Sequence, residues 1–352
     1  MRKNIHIFHQ PLLLLFLAVA LLNACSVDRT DETAITGERP IEGHPVAFVP
    51  YVTNYVEKAS DRRAAPTGFT SYTPDTGTDM GIYALLPEDW ANPEEQTLRY
   101  IAKWLAYFSV DKGKNYIIYG YMPKMERMSS TLVKDEEDEA VLTITGITPV
   151  MANDICIVTG VKNSDTGLKE GRFYWSEDVE EDDYYVFMLM DHLYAGIQFR
   201  LKVQEEYSLL RSIKLKSMTL KTDCGNVTAT IDLTHNTTGE SPVTSTSFDG
   251  ESGNYEEIIF TDEEGTLLSQ FTPTMINACF APQLSNRLTI VTTYDVYDRK
   301  GNLIREDCTA ENKLPNMAVA RGERMQVNLT IAPSYLYQLS DPELDNPSIE
   351  ID

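Results

Sequence analysis

The sequence predicts an all-β fold of sandwich type, and three observations carry that expectation. From Pro45 onward, short apolar runs of strand length alternate with clusters of Gly, Pro, Asn and Asp. In Met325–Ile331, the residues Met325, Val327, Leu329 and Ile331 face one way and Gln326, Asn328 and Thr330 the other, which is half-buried strand alternation. Only one segment, beginning at Asn92, offers a helical stripe, and it fits a strand equally well.

Taken in order, the first strand is expected over Pro45–Val56. Val46, Phe48 and Val52 share one face and Ala47, Val49 and Tyr51 the other. Pro50 lacks a ladder donor, so this strand is expected at a sheet edge. Further strands are read at Met80–Leu86, Asn115–Met122, Val141–Thr145 and Asp154–Gly160. The acidic stretches Asp135–Glu139 and Glu177–Asp183 between them read as solvated loops without calcium-loop spacing. Asn92-Pro93-Glu94-Glu95 has the chemistry of a helix start, and Leu98, Ile101, Leu105 and Phe108 continue a helical stripe. Pattern alone therefore favours a helix here. In the second half, strands are expected at Tyr194–Val203, Ile213–Thr222, Val227–Thr234, Glu256–Thr261, Met275–Ala281, Leu288–Tyr297 and Leu303–Asp307. Thr261–Gly265 and Tyr297–Asn302 read as hairpin turns.

The amino terminus sets the compartment. Arg2 and Lys3 precede an apolar run, Leu12–Leu22, too short to span a bilayer as a helix, which closes on Leu22-Asn23-Ala24-Cys25. This is a lipoprotein signal over residues 1–24, with fatty acyl chains (palmitate among them) expected on Cys25. Residues 25–44 form a polar tether. The net charge of −23 becomes more negative once Arg2 and Lys3 leave, a balance that repels nucleic acid. Of the later cysteines, Cys156 and Cys279 sit in apolar runs and read as buried thiols. A Cys224–Cys308 disulfide is compatible with an oxidising compartment, and spacing does not decide it.

Chemistry is sparse. After the signal only His44, His192 and His235 remain, and no phosphate loop, zinc motif or nucleophile elbow occurs. No catalytic residue, cofactor or metal is expected. Trp90, Trp104 and Trp175 are the candidates for a sugar-stacking platform, against the alternative that large aromatics fill cores.

Several stretches carry a family resemblance. They are Tyr116-Ile-Ile-Tyr-Gly-Tyr-Met-Pro123, Ile147-Thr-Pro149 with Asn153-Asp-Ile-Cys-Ile-Val-Thr-Gly160, Met190-Asp-His-Leu-Tyr-Ala-Gly-Ile-Gln-Phe199, Leu210–Thr222 and Tyr335–Pro347. Together with the lipobox, they resemble the fimbrillin family of Bacteroidetes, the Mfa-like and FimA-like pilus lipoproteins. The acids soon after Cys25 also resemble surface-export signals of that phylum. The resemblance implies two tandem transthyretin-like antiparallel β-sandwich domains, here divided as 45–188 and 189–352. It implies a strand rather than a helix around 98–108. It also implies an outer-membrane precursor cut by a trypsin-like protease, loss of the first strand, and repair of the groove by a strand from another subunit. The cut would fall at Arg63-Ala64, and the leaving strand's core would be Val46, Phe48 and Val52. Candidate donor residues are Tyr335, Leu336, Tyr337 and Leu339. The implied partners are other fimbrial subunits, outer-membrane lipid, the protease and a host or bacterial surface ligand. The alternative reading is a surface glycan-binding lipoprotein, which would need exposed coplanar aromatics.

Overall fold

The computed structural model describes residues 44–58, 69–108, 115–134, 140–162, 174–176, 184–233, 243–335 and 342–351. Within them the chain is almost wholly β. It starts with β1 (His44–Thr53), β2 (Val56–Glu57), β3 (Phe69–Ser71), β4 (Asp79–Leu85), β5 (Gln96–Arg99), β6 (Trp104–Phe108) and β7 (Asn115–Met122). It continues through β8 (Ser129–Lys134), β9 (Ala140–Ile147), β10 (Val150–Met151), β11 (Cys156–Lys162), β12 (Tyr174–Ser176) and β13 (Tyr184–His192). The rest comprises β14 (Ala195–Val203), β15 (Arg211–Leu233), β16 (Val243–Leu267), β17 (Thr274–Phe280), β18 (Leu288–Asp298), β19 (Leu303–Lys313), β20 (Glu323–Tyr335) and β21 (Pro342–Ile351). No described helix is long and apolar enough to cross a membrane.

Three sheets result. The first runs β3-β1-β13-β11-β7-β4-β5, with β6 also on β1 and β12 on β7. The second runs β10-β17-β14-β20-β2, with β21 also on β20. The third runs β19-β18-β15-β9-β8, with β16 along β15. Pairing crosses residue 188: β9 lies against the later β15, and β10 against β17. Most pairs are antiparallel, but β1–β13, β14–β20 and β2–β20 are parallel. One continuous cluster of buried apolar side chains draws on all three sheets, from Val46 and Trp104 through Leu142 and Phe199 to Leu220 and Ile331.

Three local expectations are corrected. The segment after Asn92 is β5 and β6, not a helix, as the resemblance implied. Asn92 instead ends a short 3₁₀ turn, Pro87–Ala91. Tertiary burial decides this. Trp104 is fully buried and donates its indole N–H to the Thr78 carbonyl at 3.2 Å, while Ile101, which a helix would turn inward, stays exposed. Thr261–Gly265 is not a hairpin turn but a bulge inside β16: Thr261 pairs with Ser217 and Thr266 with Leu215. Asp262 accepts from Glu264 N–H and Thr266 Oγ1–H, and Gly265 takes a φ of 76°, so the turn chemistry is spent without reversing the chain. The break expected between Thr222 and Val227 is likewise only a pair of register shifts within β15. The four later cysteines are all buried free thiols, as read for Cys156 and Cys279, and the Cys224–Cys308 pairing that spacing left open is not made. Cys224 on β15 and Cys308 on β19 are separated by β18, so about 9.5 Å lies between their strands, beyond disulfide reach.

Candidate functional site: the first strand and its polar anchor

The first strand is interior, not at an edge. On one side β1 pairs with β13 over Val46–Val52. On the other, β6 pairs with His44–Phe48 and β3 with Tyr51–Thr53. Pro50 sits where the second side changes partner. Its carbonyl accepts from Tyr72 N–H at 3.1 Å, and its donorless nitrogen faces that same side, where the β6 ladder has ended. The proline is thus accommodated by a gap in the ladder rather than by an edge. Val46 and Phe48 are buried in the core, and Val52 packs against it partly exposed. Ala47, on the opposite face, is buried between its ladder partners Leu105 and Tyr185, while Val49 and Tyr51 on that face are half-buried.

After β1 the chain is tied down by polar contacts. Val56 N–H donates to Gly322 O at 2.9 Å and Lys58 N–H to Arg324 O at 2.9 Å, which makes β2 a parallel neighbour of β20. Arg324 donates to Glu57, with Nε at 2.7 Å, and Lys58 Nζ donates to the carbonyls of Met317, at 3.1 Å, and Ala318.

Tyr55, between β1 and β2, is the centre of this anchor. Its ring lies 3.7 Å from the His192 imidazole at 17°. Its hydroxyl donates to Asp154 Oδ2 at 2.5 Å and lies 3.2 Å from Cys279 Sγ. Burial, then the Asp154 charge, pushes the Tyr55 hydroxyl well above the ordinary phenol value, so it stays a donor. Asp154 Oδ1 accepts from Ile155 N–H at 2.6 Å and Tyr194 N–H at 3.1 Å. His192 donates through Nε2 to the Thr53 carbonyl at 2.7 Å, and its Nδ1 lies 3.1 Å from Asp154 Oδ2. A buried carboxylate with this many donors is satisfied rather than costly.

A second carboxylate completes the array. Asp191 Oδ1 accepts from Thr53 Oγ1–H at 2.7 Å and His192 N–H at 2.8 Å, while Arg321 Nη1 donates to Asp191 Oδ2 at 2.9 Å and to His192 O at 2.7 Å. Two buried thiols, Cys156 and Cys279, border it, and burial followed by the Asp154 charge pushes both well up. A cavity of about 500 Å³ opens beside Thr53, Tyr55, His192 and Cys279. His192 and Asp154 are groups that acid–base chemistry uses, but both ring nitrogens are engaged by structural partners, Asp154 and the Thr53 carbonyl. The array therefore acts as an anchor for the chain that follows β1.

Of the residues singled out from sequence, Val46 and Phe48 come together in the core. Cys25, Arg63, Ala64, Leu336, Tyr337 and Leu339 lie outside the described residues. Tyr335 is the last residue of β20, opposite Pro342 of β21. Of the candidate tryptophans, Trp104 is inside the core and Trp90 is half-buried, edge-on to Tyr119 with the Lys134 ammonium over its ring, so these two share no exposed platform; the side chain of Trp175 lies outside the described ones. Sequence reasoning missed Tyr55, Asp154, Asp191 and Arg321, and treated His192 as one of three scattered histidines. A signal was present, since Asn153-Asp-Ile-Cys156 and Met190-Asp-His192 both place polar residues inside apolar runs and meet here.

No family model and no curated protein matches the chain. Solved structures do. A "putative cell adhesion protein" from Bacteroides fragilis is 10% identical, with 87% of this chain and 96% of that chain covered and a TM-score of 0.42. Another protein so described, from Bacteroides ovatus, is 11% identical, covering 89% and 96%, with a TM-score of 0.37. A fimbrial protein from Bacteroides vulgatus is 11% identical, covering 86% and 98%, with a TM-score of 0.35.

Proposed function

We propose that this chain is a non-enzymatic subunit of a surface fimbria, or a fimbria-associated adhesion lipoprotein, that assembles by β-strand exchange. In this reading Cys25 holds the precursor on the outer membrane through its acyl chains. A trypsin-like protease cuts at Arg63-Ala64, the segment carrying β1 leaves, and a strand from another fimbrial subunit takes its place. No cofactor takes part, and the assembled polymer presents the surface that meets a host or bacterial ligand.

The observation that carries the reading is the position of β1. It is first in the described chain yet interior to its sheet, with neighbours on both sides and Val46 and Phe48 buried. A strand so placed leaves two unpaired edges and an apolar slot when withdrawn. At roughly 1.5–3 kcal/mol for each fully buried side chain, losing Val46 and Phe48 alone forfeits about 3–6 kcal/mol, a large share of a domain's stability. An incoming strand restores both main-chain pairing and side-chain burial, which is the physics of β-strand addition. The intact precursor is protected from premature polymerisation for the same reason.

A reversible clamp tests this. Ala47 of β1 faces Leu105 of β6 across the ladder. The Ala47→Cys/Leu105→Cys variant, oxidised, is expected to remain monomeric after protease treatment and to polymerise once reduced. Polymerisation of the oxidised, verified cross-linked form sinks the strand-exchange reading.

A further inference from the structure

The contacts of Tyr55 specify what must replace it, an inference that rests on the strand-exchange reading above. The seat is built on four sides. His192 supplies the stacking face, and Asp154 the acceptor for the hydroxyl. Cys279 borders the hydroxyl end at 3.2 Å. Gly196 forms the floor: a Cβ added there would lie 3.0 Å from Tyr55 Cε1, so the absence of a side chain makes room for the ring.

The backbone fixes the register of any occupant. Two residues before Tyr55, Thr53 presents its carbonyl to His192 Nε2 and its hydroxyl to Asp191. Two residues after it, Glu57 presents its carboxylate to Arg324. Alternate residues of an extended segment thus meet three separate polar receivers, while main-chain bonds to Gly322 and Arg324 set direction. When the segment leaves, Asp154, His192, Asp191 and Arg324 each lose a partner, and a purely apolar replacement leaves them short of hydrogen bonds.

We propose that this seat is the specificity pocket of the assembled joint, and that it selects an incoming strand with a tyrosine, a hydroxyl residue two positions earlier and a carboxylate two positions later. The strand runs parallel to β20, as β2 does. The chain's own tail meets this pattern only in part. Tyr335 and Tyr337 have the right spacing, but Leu339 stands where the acid belongs. A second copy's tail therefore leaves Arg324 without its carboxylate, and a different subunit that supplies the acid binds more tightly.

The test uses the full mature chain with a specific protease site built into the segment between residues 58 and 69. After cutting and release of the leading segment, fluorescent peptides are titrated back. A peptide of residues 44–58 is expected to rebind, its Tyr55→Ala form to bind about 100-fold more weakly, and its Glu57→Ala form about 10-fold more weakly. A peptide of residues 331–345 is expected to bind more weakly than the parent. Gly196→Val in the protein, which fills the seat, should erase the difference between the parent and Tyr55→Ala peptides. Parent and Tyr55→Ala peptides binding within about threefold of each other overturn the seat while leaving strand exchange standing. If the cut segment never leaves, or the parent peptide never rebinds, strand exchange itself falls and the seat falls with it. The peptide arm requires no change in the seat, so a poorly folding Gly196 variant does not remove the test.

Discussion

Phe48 is the most demanding test of how firmly β1 belongs to the core. It is 2% exposed and sits opposite Trp104 in the β1–β6 ladder, with Val186 as its partner on β13. Replacing it with alanine removes a ring from a site walled by strands on both sides, where collapse is difficult. Large-to-small changes of this kind cost about 3–5 kcal/mol. Val49, half-buried on the same strand, is the control: Val49→Ala should cost no more than about 1.5 kcal/mol, within the range of partly exposed positions. The assay is urea unfolding of the chain from Ser26 onward, followed by tryptophan fluorescence, with free energies taken by linear extrapolation. Fluorescence is well suited because buried Trp104 reports directly on the β1 neighbourhood. A Phe48→Ala cost below about 1 kcal/mol, or one equal to that of Val49→Ala, would refute the claim that β1 holds the core closed. That result would also remove the reason for a cut subunit to seek another strand.

Other consequences follow from the same picture. Cys25→Ala should abolish partition of the precursor into a detergent phase, and unchanged partition would remove the lipid anchor from the account. Arg63→Ala should block processing and polymer formation; normal polymers from that variant would move the cut elsewhere. Native protein should react slowly with a thiol reagent, because Cys156, Cys224, Cys279 and Cys308 are buried, and should yield all four thiols on unfolding; fast labelling of the native chain would contradict their burial. Stability should fall on the alkaline side. Cys156, Cys279, Tyr55 and Tyr194 are all held protonated in the fold, chiefly by burial, so the unfolded chain releases protons that the folded chain keeps. Their contribution is complete below the ordinary thiol range and is lost as pH rises through it and toward the folded values. A urea midpoint unchanged between pH 7 and pH 10, by about the error of the measurement, would speak against this linkage.

Strands whose pattern depends on local alternation are legible in the sequence itself. Asn115–Met122 is β7 residue for residue, Met325–Ile331 lies inside β20, and the Tyr297–Asn302 hairpin is built as read, with Asp298 Oδ1 accepting from the Lys300 and Asn302 N–H groups. Misreadings fell where local and tertiary signals diverge. Asp262 and Gly265 carry turn chemistry that a long strand absorbs as a bulge, and no period reveals which will happen. Pro50 implied an edge because the sequence does not show that two short strands, β6 and β3, share one side of β1. The helix-like stripe after Asn92 lost to the burial of Trp104 and Leu98 against separate strands.

The anchor was less legible than the fold. Tyr55, Asp154 and His192 come from three separate segments, 99 and 38 residues apart, and each looks ordinary in its own segment. Only their meeting gives them a role, and that meeting depends on β2 docking on β20 and β13 lying beside β1. The candidate donor residues posed a different difficulty. Tyr335 ends β20 and β21 folds back along it, so the tail pairs within its own chain, with Ile349 in the core. The prolines at 342 and 347 did not prevent this, because β21 occupies an outer position on β20.

The central claim is that the first strand is a removable part of the core. Limited trypsin digestion of the mature chain, with the new terminus mapped and size followed by gel filtration, tests it most directly. The account predicts a cut after Arg63, loss of the segment carrying β1, and a ladder of oligomers that grows as the segment leaves. A cut chain that stays monomeric with its leading segment still bound would contradict it.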